Sequence, residues 1–286
     1  MNTIRPMTNS SNNEETVLEQ GTPAIDLQNV TKRFRTPSGG VYTALRDLTM
    51  SVAHGEFCAI VGPTGSGKST TLSLISGLER PSAGEVRVMG QTVEGIDPRI
   101  GYVFQTDAVF PWKNVLSNVA TGPMFRHQPK AEVLARAREW LARVGLAGFE
   151  DRYPHQLSGG MRKRVALAQT FINEPQILLM DEPFSALDVQ TRNLMGGELL
   201  QLWSTSSASV VFVTHDLEEA IALADRVIVL TAGPATVKGI YTVDLPRPRN
   251  VAEIRFDPHF IDLYHDIWED LRNEVMISYE RAKQRG

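Results

Sequence analysis

The chain has 286 residues, 42% of them hydrophobic, a formal net charge of −4 and one cysteine. At about 150 residues per domain this predicts one or two domains with a sizeable core. A slightly acidic total argues against a general nucleic-acid binder, one thiol excludes an intramolecular disulfide, and no apolar run approaches the roughly 18 residues of a membrane span.

In chain order, residues 1–22 are polar and aperiodic and are expected to form a disordered tail. From Ala24 short strands begin. Ile25, Leu27 and Val30 roughly alternate, Leu48, Met50 and Val52 alternate cleanly, and Phe57–Val61 is continuously apolar, as for a strand buried on both faces. Cys58 lies within that strand and reads as a small core residue. Between about 113 and 172 the texture is helical: Val133, Leu134, Ala137, Trp140, Leu141 and Val144 recur at steps of three and four. Strand patterns return at Ile177–Met180, Val210–Val213 and Val227–Leu230, separated by helix-like segments, which predicts an α/β fold with a parallel, doubly covered sheet. Asp257-Pro258 reads as the start of a last helix, with Phe260, Tyr264, Ile267, Trp268, Leu271 and Val275 as its apolar stripe. Gly196 and Gly197 interrupt a helical stretch from Val189 to Trp203; a kink, a close helix approach and local softness all fit.

The strongest chemical signal is Gly62-Pro63-Thr64-Gly65-Ser66-Gly67-Lys68-Ser69, which fits G-x-x-x-x-G-K-[ST] between a buried strand and a helix-like segment. Glycines let successive backbone N–H groups face phosphate oxygens, and the following helix turns its positive end to the same anion. Lys68 would reach the β- and γ-phosphates of a nucleotide, and the Ser69 hydroxyl would ligate Mg²⁺. The apolar strand Ile177–Met180 ends in Asp181 and Glu182, at the sheet edge where the phosphate loop also sits. Asp181 is thereby a candidate for the Mg²⁺ shell and Glu182 for orienting or deprotonating a water. Ser158-Gly159-Gly160 reads as a capped helix start with a bare backbone, and the charges Arg162, Lys163 and Arg164 as its solvated face.

These motifs, in this order, resemble the ATP-binding cassette ATPases over about residues 24–250. The resemblance implies a P-loop NTPase (RecA-like) parallel-sheet core with an N-terminal antiparallel β region, an inserted helical subdomain at about 106–174 within an ATPase domain of 23–250, and a C-terminal helical extension at 251–286. It makes Phe34 the aromatic that stacks on adenine, residues 62–70 including Thr70 the phosphate loop, Gln105 a contact to Mg²⁺, Leu157–Met161 the signature segment, Ser185–Asp188 the D-loop and His215 the contact to the γ-phosphate. It also implies ATP and Mg²⁺ as ligands and a head-to-tail pair of cassettes, homo- or heterodimeric, in which the partner's Ser158, Gly159 and Gly160 complete each site. Met161 departs from the more usual Gln.

Phe110-Pro111-Trp112-Lys113, the Met-ended signature and Val243-Asp244-Leu245-Pro246-Arg247-Pro248-Arg249 are similar to the ATPases of nitrate, sulfonate, taurine and related small-anion importers. That implies integral membrane permease subunits as partners, a solute-binding protein indirectly, and a peripheral position on the cytoplasmic side of the inner membrane. Phe110 and Trp112 become candidates to line the permease contact. The competing expectation is a cassette ATPase acting on DNA or the ribosome. The short interval between Ser69 and Leu157 leaves little room for a long coiled coil, and the net charge lends that alternative no support.

Overall fold

The computed structural model describes residues 21–37 and 39–283, so the expected tail lies almost wholly outside the described residues. Strands β1 (Ile25–Arg35) and β2 (Val41–Val52) are followed by β3 (Phe57–Val61) and helix α1 (Lys68–Ile75). Next come β4 (Ala83–Val88), β5 (Gln91–Thr92) and β6 (Ile100–Val103). Four helices follow: α2 (Val115–Val119), α3 (Thr121–Phe125), α4 (Lys130–Arg143) and α5 (Gly159–Phe171). The chain then runs through β7 (Ile177–Asp181), α6 (Val189–Ser204), β8 (Ser209–Val213) and α7 (Leu217–Leu223). It ends with β9 (Arg226–Leu230), β10 (Val237–Thr242) and α8 (Pro258–Lys283).

Two sheets result. One is antiparallel, in the order β2-β1-β4-β5; the other has the order β10-β9-β3-β8-β7-β6, parallel except for β10 at its edge. Strand β3 is central and wholly buried. Phe57, Ala59 and Val61 point into a core shared with α6, α7 and α8, whereas Cys58 and Ile60 face a second core shared with α1 and the antiparallel sheet. Burying each large apolar side chain contributes about 1.5–3 kcal/mol, and Phe57 adds an edge-to-face contact with Trp203 at 5.3 Å. The helices between β6 and β7 close a third core of their own, with Val115, Val133, Leu141 and Val165 inside.

Three expectations are corrected or resolved. In β1 the alternation breaks because Asn29 adopts a left-handed φ of 49° at a register shift between Leu27 and Val30, which returns Val30 to the core face. On α8 the buried face is Phe260, Leu263, Ile267 and Leu271, continuing to a buried Glu274, while Trp268 and Val275 are each 41% exposed. A 3.6-residue period carries the inward face from 267 to 271 and 274, one step before Trp268 and Val275. Its start is as expected, with Asp257 accepting the His259 N–H at 2.8 Å. For the glycine pair, close approach is not what demands glycine: a Cβ on Gly196 would lie 3.4 Å from Leu223 and Val251, an ordinary van der Waals contact.

Gly197 has no atom within 4 Å of its would-be Cβ. Gly197→Ala should therefore stabilise α6 by about 0.5–1 kcal/mol, read as a higher urea midpoint at unchanged slope; a lower midpoint would contradict it.

Candidate functional site

Strand β3 delivers the chain into the loop 62–67, which opens on a cleft of about 610 Å³. Phe34, Tyr42, Ala44, residues 64–70, Gln105, Glu182 and His215 line it. The loop requires its glycines. Gly67 has φ 80° and a Cβ there would meet Leu45 at 2.6 Å; at Gly62 it would meet Ser66 Oγ at 2.7 Å. Lys68 begins α1 and folds back over the loop, donating to the carbonyls of Gly62 (2.9 Å) and Pro63 (3.2 Å). Burial holds its ammonium below the usual lysine range, opposed by the charges of Glu182 and Asp181. Ser66 Oγ is buried without a hydrogen-bond partner. An anion seated in this loop gains a cation and inward-facing amides in one step.

Across the cleft, Ser69 Oγ donates to Asp181 Oδ1 at 3.0 Å. Burial pushes the Asp181 carboxyl up, against the hydrogen bond from Ser69. A hydroxyl beside a carboxylate is a hard oxygen donor set that fits Mg²⁺, and a cation there would reverse the cost of the buried charge. Glu182 follows in a left-handed conformation, φ 43°, its N–H held by Val213 O at 2.9 Å. A non-glycine residue in that region costs on the order of 1 kcal/mol or more, and here it turns the carboxylate toward the cleft. Glu182 Oε2 lies 2.9 Å from His215 Nδ1 and 3.3 Å from Gln105 Nε2, so three chain segments converge on one carboxylate oxygen.

Behind His215, Asp216 caps α7 and pairs with Arg192, which also donates to Leu187 O. Glu219 accepts a hydrogen bond from Thr214, and its other carboxylate oxygen has no partner. Burial raises the Glu219 carboxyl from 4.5 to about 7, with the Thr214 hydrogen bond acting the other way. The folded state thus binds this proton more tightly than the unfolded chain, and its contribution to stability is lost as pH rises from about 4.5 to about 7. Glu219→Gln should remove that slope, gaining about 1–3 kcal/mol on the wild type between pH 5 and pH 8 in urea melts; an unchanged gap would contradict it.

Ser158, Gly159 and Gly160 are not in the cleft. Ser158 caps α5, accepting the Met161 N–H at 3.3 Å, and a Cβ on Gly160 would lie 3.3 Å from Thr191 of α6. Phe34 is in the cleft, and its cross-strand partner Tyr42, which the sequence motifs do not mark, stands beside it. The expectation of a solvated face at residues 162–164 is overturned at Lys163 and holds in part at Arg162 and Arg164, which are half-buried. Lys163 is 4% exposed and donates to Gln105 O at 2.7 Å, Arg162 pairs with Asp107 at 2.8 Å, and Arg164 pairs with Glu198 at 2.5 Å. The three side chains sit on a helix packed on both sides, so charge alone does not place them outside.

The ABC transporter family model matches residues 45–185. An uncharacterized ABC transporter ATP-binding protein of Methanocaldococcus jannaschii is 44% identical over 254 residues, spanning 89% of this chain and 93% of its own length. The bicarbonate transport ATP-binding protein CmpD of Synechococcus elongatus is 40% identical, spanning 84% of this chain and 87% of its own length. The nitrate import ATP-binding protein NrtC of the same organism is 38% identical over 87% of this chain, a match spanning 38% of that longer protein. Among solved structures, a dimeric ATP-binding cassette in a post-hydrolysis state with ADP and Pi superposes with a TM-score of 0.69 at 33% identity, covering 78% of this chain and 100% of that one.

Proposed function

The chain belongs to the ABC transporter ATP-binding proteins and is an ATPase with the P-loop NTPase fold, and on that premise we propose that it is the ATP-hydrolysing subunit of an importer for a small anion. The observation that carries the hydrolytic part is the convergence of Gln105, Glu182 and His215 at the mouth of the Lys68 loop. Phe34 stacks on adenine with Tyr42 beside it. Lys68 and the N–H groups of residues 65–70 bind the β- and γ-phosphates, and Lys68 exchanges two loop carbonyls for phosphate oxygens. Ser69, Asp181 and Gln105 would hold Mg²⁺, which when bound neutralises phosphate charge. Glu182 orients the attacking water and accepts its proton, and His215 contacts the γ-phosphate while its Nδ1 side faces Glu182.

Because Ser158, Gly159 and Gly160 stand apart from the cleft, they serve the site of a second copy of the chain, packed head to tail. Their capped helix start presents free N–H groups and a positive helix end to that copy's nucleotide. The dimeric neighbour in its ADP and Pi state supports this arrangement.

Among the described residues no helix is long and apolar enough to cross a membrane, and translocation is assigned to permease subunits. A groove of about 390 Å³ beside β6 and the helical layer is the docking surface for them on the cytoplasmic face of the inner membrane. Lys113 lies 4.8 Å from the Phe110 ring and 5.4 Å from that of Phe125, and Trp112 and Phe125 are 72% and 73% exposed. Exposed aromatics held by a cation are pre-ordered anchors. The nitrate and bicarbonate relatives support a small inorganic anion as cargo, and the motif resemblance adds a sulfonate as an alternative and delivery by a solute-binding protein.

The test is purification of the chain from a gentle membrane extract, followed by reconstitution in vesicles. Two hydrophobic membrane proteins should co-purify, and nitrate, bicarbonate or a sulfonate, with its binding protein, should stimulate ATP turnover. Absence of membrane partners together with turnover indifferent to all three anions would overturn the importer reading.

A further inference from the structure

The buried ammonium of Lys163 has a position that packing alone does not explain. Lys163 lies on the second turn of α5, donates to Gln105 O at 2.7 Å, reaches Phe104 O at 3.5 Å and forms an ion pair with Asp107 Oδ1 at 3.1 Å. The other oxygen of Asp107 accepts from Arg162 Nε at 2.8 Å, and Arg162 also donates to Leu157 O at 2.8 Å. Residues 104–107 and 157–163 are therefore joined through polar contacts at both ends of one carboxylate. An ammonium at 4% exposure is costly unless fully paired. An apolar side chain would fill the same space without that cost, whereas directional donors fix the position of one particular carbonyl.

That carbonyl belongs to Gln105, the residue whose side-chain amide reaches Glu182 at 3.3 Å. The helix that carries Lys163 also begins with Ser158, Gly159 and Gly160. We propose that Lys163, held by Asp107, is a positioning residue that makes the Gln105 segment and the Ser158–Gly160 helix start move as one piece. A displacement of Gln105 at this chain's nucleotide is then passed, through a carbonyl and an ammonium, to the surface this chain offers its partner's nucleotide. The proposal rests on the roles given above to Gln105 and Ser158.

Steady-state turnover of the full-length chain, with ATP and Mg²⁺ each titrated, tests it. Lys163→Met should lower kcat about ten-fold and raise the Mg²⁺ needed for half-maximal rate several-fold, leaving the KM for ATP within about two-fold. Lys163→Arg, which keeps the charge and the donors, should recover at least about half of kcat. In a Gln105→Ala background Lys163→Met should add no further loss, because its effect passes through Gln105. Equal fold-losses in both backgrounds, or an unchanged kcat and Mg²⁺ requirement in a cooperatively folding variant, would overturn the proposal. Should Lys163→Met not fold, Asp107→Asn in the same two backgrounds gives the same reading. Full turnover in Gln105→Ala alone would overturn the role of Gln105 and this proposal with it. A slow Gln105→Ala with additive Lys163→Met overturns the proposal only.

Discussion

Glu182→Gln should lower ATP turnover by at least about 100-fold while leaving ATP binding within about two-fold. The amide has the shape of the carboxylate and can still meet Gln105 and His215, so the left-handed turn at residue 182 and the convergence of three segments are kept. What disappears is the capacity to take a proton from water. Lys68, Ser69 and the loop amides, to which nucleotide affinity is assigned in the proposal above, are untouched. Phosphate release and equilibrium binding of a fluorescent ATP analogue separate the two effects. Turnover within about three-fold of wild type would remove Glu182 from the role of base.

Lys68→Met acts on the other half of the site. Its expected effect is an affinity loss for ATP of about 100-fold, with a folded loop. Lys68 donates to two carbonyls, of Gly62 and Pro63, and burial lowers the affinity of its amine for the proton. An anion that replaces those carbonyls relieves the burial penalty, so the charge is worth more with phosphate present than without it. Methionine keeps the length and apolar stem of the side chain and leaves Gly62 and Gly67 in the close contacts that define the loop. Nucleotide titration with equilibrium unfolding as the control reads it; unchanged affinity in a folded variant would contradict the placement of the phosphates.

The parts of the site legible in the sequence are those whose geometry is local. The phosphate loop is eight consecutive residues whose backbone curls by its own glycines, and Asp181 and Glu182 are carried to the same edge by a strand whose burial is written in four apolar residues. The Asp257-Pro258 helix start and the 3.6 period of α4 are local in the same sense. What could not be read depends on contacts between distant segments. Tyr42 joins Phe34 only through the register of β1 and β2. Lys163 looks the same in sequence as a solvated helix residue, and only the packing of α5 against residues 104–107 turns it inward. Glu219 is a common helix-start acid until α7 is packed behind His215 and its carboxyl loses water. Gly196 needed the positions of Leu223 and Val251, 27 and 55 residues further along, before close approach could be set aside.

The composite site proposed above would make nucleotide and partner inseparable, because Ser158 is not among the residues that line the Lys68 cleft. Light scattering of the Glu182→Gln chain, with and without ATP and Mg²⁺, reads this as a mass. Two chains should be found with ATP and Mg²⁺ and one with ADP, and adding Ser158→Arg should return the ATP-bound protein to a single chain. A Glu182→Gln protein that binds ATP and keeps the mass of one chain would contradict the shared site.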